Sequence, residues 1–190
     1  MKTTIIAIKV LIFMTFLTGI MYPLTMTGVS QLLFHFKANG SLIYNGNTLK
    51  GSELIGQKFD SSIYFWSRPS AINYNPLPSS GSNLGPSSNI LKNLTTERRI
   101  LWRKATGGTG KFDIPAEMIF ASASGLDPEI SPEAALAQAD RVASARSYTI
   151  AQKKQMMKKI TDLSQKPQYL IFGEPRINVF ELNLSIDSIR

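Results

Sequence analysis

The run Ala105-Thr-Gly-Gly-Thr-Gly-Lys111-Phe112 looks at first like a loop that wraps a phosphate. It fails at both ends. A phosphate loop needs a glycine five residues before the Gly of Gly-Lys, and Ala105 stands there. It also needs Ser or Thr after the lysine to reach magnesium, and Phe112 stands there. The run is a flexible turn. His35 is the sole histidine and lies far in sequence from any acid, so no Ser-His-Asp relay is expected. Asp127, Glu129 and Ser131 share one loop, but a cation needs more oxygen ligands than this spacing offers. Turn formation at Asp127-Pro128 and helix capping by Ser131 account for them. The chain has no cysteine, which removes disulfides, thiolate metal sites and thiol nucleophiles.

The elements behind these residues begin with an apolar segment. Ile5 to Met26 is broken only by Lys9, three threonines, Gly19, Tyr22 and Pro23. As a helix it spans roughly 30 Å, the hydrocarbon thickness of a bilayer. A cleaved signal peptide has a shorter apolar middle and a small-x-small site, absent from Tyr22 to Val29. A buried core helix is the other alternative. The expected organisation is a cytoplasmic end and transmembrane anchor over 1–27 and a soluble domain over 28–190. Lys2 and Lys9 flank the near end, and no Lys or Arg follows the segment until Lys37. The positive-inside rule then puts the short N-terminus in the cytoplasm and the large domain outside it, as a single-pass protein of the cell (inner) membrane. Pro23 kinks or ends the regular helix. The formal charge is +8, but the basic residues are scattered along helix faces, and an extracytoplasmic domain does not meet nucleic acid.

Gln31 to Phe36 reads as a short helix and Asn39 to Asn47 as a turn or hairpin. Gly51 to Phe59 reads as a short helix and turn. Tyr64-Phe65-Trp66 reads as core packing. Asn73 to Asn89 is a long polar loop rich in Pro, Gly, Ser and Asn. A helix is expected from Ile90, and Met118 to Ala123 is expected as a strand. Ser131, Pro132 and Glu133 open a helix with Leu136, Ala139 and Ala143 as its narrow face. Thr149 and Gln152 make a capping box for a helix with Ile150, Met157, Ile160 and Leu163 as its apolar face. Tyr169 to Phe172 and Ile177 to Ile186 read as strands. The fold class expected is an α/β or α+β extracytoplasmic domain on one N-terminal transmembrane helix.

The loops and turns also carry a likeness. It runs through Tyr22-Pro-Leu-Thr-Met-Thr-Gly28, Gly51-Ser-Glu-Leu-Ile-Gly-Gln57, Arg68-Pro-Ser-Ala71 and Ser80-Gly-Ser-Asn-Leu-Gly-Pro86. It continues through Ala123-Ser-Gly-Leu-Asp-Pro128, Ile130-Ser-Pro-Glu-Ala-Ala135, Gln138, Arg141-Val142 and Phe172-Gly-Glu-Pro-Arg-Ile-Asn-Val179. In this order the pieces cover nearly the whole chain. It resembles the KdpC subunit family of the bacterial Kdp high-affinity potassium-transporting ATPase. The family pattern has glycine at Ser80 and Ala123 and histidine at Glu129, so no role of that histidine carries over.

The resemblance implies a non-catalytic accessory subunit needed for assembly and activity. Its implied partners are a channel-like potassium-binding subunit, a P-type ATPase subunit, a small membrane peptide and the lipid bilayer. ATP, magnesium and potassium are used by the complex, with none bound stably by this chain. The family has been described as a catalytic chaperone that raises the ATPase subunit's affinity for ATP. A direct role of that kind would fall to Glu133, Gln138 and Arg141. Structural or interface roles fall to Gly19, Arg68, Asn83, Gly85, Gly125, Asp127, Ser131, Arg176 and Asn178. Gly81, Gly85 and Gly125 are expected where a side chain would clash. A membrane-anchored ligand-binding or regulatory module is the alternative.

Overall fold

The computed structural model describes residues 2–107, 113–169 and 171–189, with Asn45 described by its backbone alone. Most of the phosphate-loop-like run, including Lys111 and Phe112, therefore lies outside the described residues, as does Leu170. The chain divides into two compact units, Met1–Ser52 and Glu53–Arg190.

In the first unit a helical run of 32 residues, Lys2–Leu33, is long and apolar enough to cross a membrane. It comprises α1 (Lys2–Phe16), a π turn (Leu17–Met21) and α2 (Tyr22–Leu33). The helix thus runs six residues past the expected anchor end at 27. The π turn has a local cause. Pro23 has no N–H to give the carbonyl four residues back, and its ring would strike that carbonyl at Gly19. Widening the helix just before Pro23 relieves the conflict, and the Tyr22 N–H donates to the Leu17 carbonyl. The axis therefore passes Pro23 without ending. Thr18 and Thr25 donate their hydroxyls to the Met14 and Met21 carbonyls, so neither needs water. None of the span's residues is buried within the protein.

Next come α3 (His35–Ala38) and an antiparallel hairpin of β1 (Leu42–Asn45) and β2 (Thr48–Ser52). Asn45 faces Thr48 across a two-residue turn whose Gly46 has φ +60°.

The second unit is chiefly helical: α4 (Asn89–Ala105), α5 (Pro132–Ala145), α6 (Ile150–Leu163) and α7 (Val179–Asp187). The strands are short. β3 (Glu129–Ile130) pairs antiparallel with β4 (Ile177–Asn178), and no larger sheet forms among the described residues. Helices α5, α6 and α7 pack around one core that includes Phe65, Val142, Met156, Ile160, Leu182 and Ile186. Full burial of each of these side chains stabilises by about 1.5–3 kcal/mol.

Several expectations are corrected. Ile177 to Ile186 is a strand for two residues only. The Asn178 side chain accepts from the Phe180 and Glu181 N–H groups and starts a helix. Val179, Leu182, Asn183 and Ile186 then share one buried face at helical spacing. Residues 118–123 form no strand, because a 3₁₀ turn occupies Ala116–Met118 and irregular chain follows. Residues 53–59 form no helix, because β2 extends to Ser52 and Gly56 is pressed against the Asp127 carbonyl. Of the expected strand Tyr169 to Phe172, Leu170 lies outside the described residues, and Phe172 forms only an isolated bridge with Gln168. In α5 the buried face centres on Ala135, Gln138, Ala139 and Val142, and Leu136 is exposed. In α6, Ile150 in the first turn is exposed, and Met156 with Ile160 carries the packing.

Candidate functional site

Residues 62–66 run as irregular chain from exposed Ser62 to buried Phe65, with no strand paired to them among the described residues. Helices supply the partners with side chains instead. Asn183 of α7 accepts from the Phe65 N–H at 2.8 Å and donates to the Phe65 carbonyl at 2.9 Å. Gln138 of α5 does the same for Trp66, at 2.7 and 3.2 Å. Two amides thus imitate a strand, each offering one donor and one acceptor. Arg141 donates to the Ser62 and Tyr64 carbonyls and to the Gln138 side-chain oxygen, and its guanidinium lies 4.0 Å over the Trp66 ring. Arg146 donates to the Ile63 carbonyl at 2.6 Å and pairs with Asp187. Burial lowers the Arg141 pKa to about 10, which leaves it a cation at neutral pH.

The three nucleotide candidates are therefore dissimilar. Gln138 and Arg141 are buried and bonded to the chain's own backbone. Glu133 is exposed in the first turn of α5. The structure joins Gln138 to Arg141 and leaves Glu133 apart from that network.

A second constellation gathers residues from four loops. A cleft of about 220 Å³ is lined by Arg68, Glu117, Asp127, Ser131 and Arg176, with Glu129 and Glu174 beside them. Arg68 pairs with Asp127 at 2.7 Å, and Arg176 pairs with Glu129 at 2.8 Å. Ser131 caps α5 through its hydroxyl, while its N–H donates to the Glu117 carboxylate. Asn178 lies opposite Glu129 in the β3–β4 ladder and donates to the Glu53 carbonyl at 2.8 Å. Five predicted residues, Arg68, Asp127, Ser131, Arg176 and Asn178, are thus brought together. Glu129, where the family pattern has histidine, is one arm of an ion pair. Each arginine in the cleft has its own carboxylate, so the arrangement fixes loops to one another.

The loops of residues 72–81 and 123–125 meet. A Cβ on Gly81 would stand 2.6 Å from the Ala123 carbonyl oxygen. One on Gly125, whose φ is +70°, would stand 2.6 Å from Ile72. Ser79 donates to the Ser124 carbonyl. Gly85 differs from expectation: a Cβ there meets nothing. Asn83 adopts φ +50° in the same loop. Gly19 lies in the π turn of the other unit, with open space around it. Sequence reasoning missed Asn183 and Gly56 as fixing points. A helical phase over 179–186 would have exposed the first. Gly56 had no local signal, since Asp127 is its neighbour only in space.

Fold and site together define a protein with one N-terminal helix long and apolar enough to cross a membrane and a small helical unit whose polar side chains hold its own loops. Residues 4–188 match the family model for the c chain of K+-transporting ATPase, KdpC. The chain is 45% identical over 179 residues to the potassium-transporting ATPase KdpC subunit of Polynucleobacter asymbioticus, covering 93% of each. It is 44% identical to that of Dechloromonas aromatica, over 96% of this chain and 95% of the other. For Pectobacterium atrosepticum the identity is 47%, over 90% and 88%. The chain belongs to the KdpC family.

Proposed function

We propose that this chain is a non-catalytic accessory subunit of an ATP-driven potassium uptake complex. The observation that carries this is identity near 45% across 93% of the length of a potassium-transporting ATPase subunit. In this reading residues 1–27 are the cytoplasmic end and anchor, and 28–190 lie outside the cytoplasm. The chain joins a channel-like potassium-binding subunit, a P-type ATPase subunit and a small membrane peptide. Its folded unit supports the channel-like subunit. ATP binds on the other side of the membrane in this topology, and Gln138 and Arg141 already serve the chain's own backbone. Any gain in the ATPase subunit's ATP affinity is therefore transmitted through the partners.

The test compares complexes purified with and without the chain. Loss of potassium-stimulated ATP hydrolysis, and of growth at low potassium in a strain lacking the chain, is expected. Full pump activity without it overturns the reading, as does pump-like ATP hydrolysis by the isolated chain. An unchanged KM for ATP in a partly active complex lacking the chain would remove the affinity role alone.

A further inference from the structure

A cavity in the second unit shares no lining residue with the ion-paired cleft. It measures about 650 Å³ and lies between α4 and residues 58–74. That volume falls within the range of small-molecule sites. Its apolar wall includes Phe59, Trp66 and Leu101, and its charged groups are Lys58, Asp60, Arg98 and Lys104. Asp60 is the single carboxylate in the lining and is paired with Lys58 at 3.1 Å. Arg98 and Lys104 have no carboxylate within ion-pair distance among the described residues. Arg98 is fixed from behind, donating to the Ile119 carbonyl at 2.7 Å. We propose that this cavity binds an amphiphilic anion: a carboxylate or phosphate at Arg98 and Lys104, with its acyl chain against Trp66, Phe59 and Leu101.

Three considerations support that chemistry. Two unpaired cations beside an apolar wall match a molecule with one charged end and one apolar end. Burial lowers the Arg98 pKa, so the guanidinium is held at a cost that a bound anion offsets. A helix in the same chain is long and apolar enough to cross a membrane, where acyl-chain anions abound. The anion is either a lipid headgroup or a free amphiphile. The inference does not depend on the subunit role.

Trp66 lines the cavity, Trp102 packs edge-on to it at 6.4 Å, and the chain has no other tryptophan. Tryptophan fluorescence of the full chain in phosphatidylcholine nanodiscs therefore reports on the site. Titration with decanoate is expected to give a saturable change. Decanol is expected to act at least tenfold more weakly. Lys104→Glu, on the exposed side of α4, is expected to weaken decanoate at least tenfold with an unchanged melting temperature, and Arg98→Gln to weaken it further. In phosphatidylglycerol nanodiscs, a shifted starting fluorescence that Lys104→Glu abolishes identifies a bilayer lipid as the anion. An unshifted start with a retained decanoate response identifies a free amphiphile. Equal responses to decanoate and decanol, or identical behaviour of wild type and both variants in both disc types, overturn the proposal.

Discussion

Arg141 shows how a polar side chain acts when buried. It satisfies two backbone carbonyls, braces Gln138 and covers the Trp66 ring. Removing it strands buried acceptors, each costing about 1–3 kcal/mol. Arg141→Ala is therefore expected to lower stability by roughly 3 kcal/mol. Glu133→Ala should change it by less than about 1 kcal/mol, the scale of a helix-dipole contact. Thermal unfolding of the full chain in detergent checks both. Equal melting temperatures for the two variants would contradict the clamp. Tyr74 supplies a pH test. Burial, the largest cause, pushes its pKa up to about 12. Its folded value exceeds the unfolded value of about 10, so the neutral form belongs to the folded state. Stability is then fully present below pH 10 and falls as pH rises toward 12, by about 2 kcal/mol from this group. Unfolding at pH 9 and 11.5 should show a shallower decline for Tyr74→Phe than for wild type.

Among the elements, α7 depends on its cap. Asn178 uses its side-chain oxygen for two helix N–H groups and its amide nitrogen for the Glu53 carbonyl. Asn178→Ala loses both functions and is expected to cost about 2 kcal/mol, whereas Asn178→Asp keeps the cap and costs about half. Chemical denaturation of the three proteins ranks them, and equal losses for Ala and Asp would deny the cap its share. The loop contacts give a second test. Gly125→Ala combines a left-handed backbone with a clash on Ile72, so a loss near 2 kcal/mol is expected. Gly85→Ala, in open space, should be close to neutral. A melting temperature reduced as much by the Gly85 change would contradict this packing.

At the scale of the whole molecule, the span and the charges near it decide which side the folded unit occupies. Lys2 and Lys9 at one end favour the cytoplasm for the short N-terminus. An alkaline phosphatase fused after Arg190 is active only outside the cytoplasm. High activity is expected, and an inactive fusion at normal expression would reverse the orientation. The span should also remain in the mature chain. Recovery of a protein beginning after residue 20 would show a cleaved signal instead.

Local chemistry alone determined much of this protein. A segment as long and mostly apolar as Ile5 to Met26 must be helix wherever water is absent, so the long apolar helix was legible. Ser131-Pro132 and the Thr149–Gln152 box supply cap groups from their own neighbours, and α5 and α6 start where those residues stand. The loop sequences also placed the chain in its family. What needed the tertiary structure was every decision made between distant residues. Leu182 and Leu184 alternate with polar residues as a strand would, and only the Asn178 cap and the packing against α6 turn 179–187 into a helix. Gln138 stood as a nucleotide candidate, and Asn183 carried no expected role. They prove to be backbone partners because 62–66 enters the core without a sheet, and a buried peptide group must find a hydrogen bond somewhere. Arg68, Asp127, Glu129 and Arg176 were separate motif letters until folding made them two ion pairs.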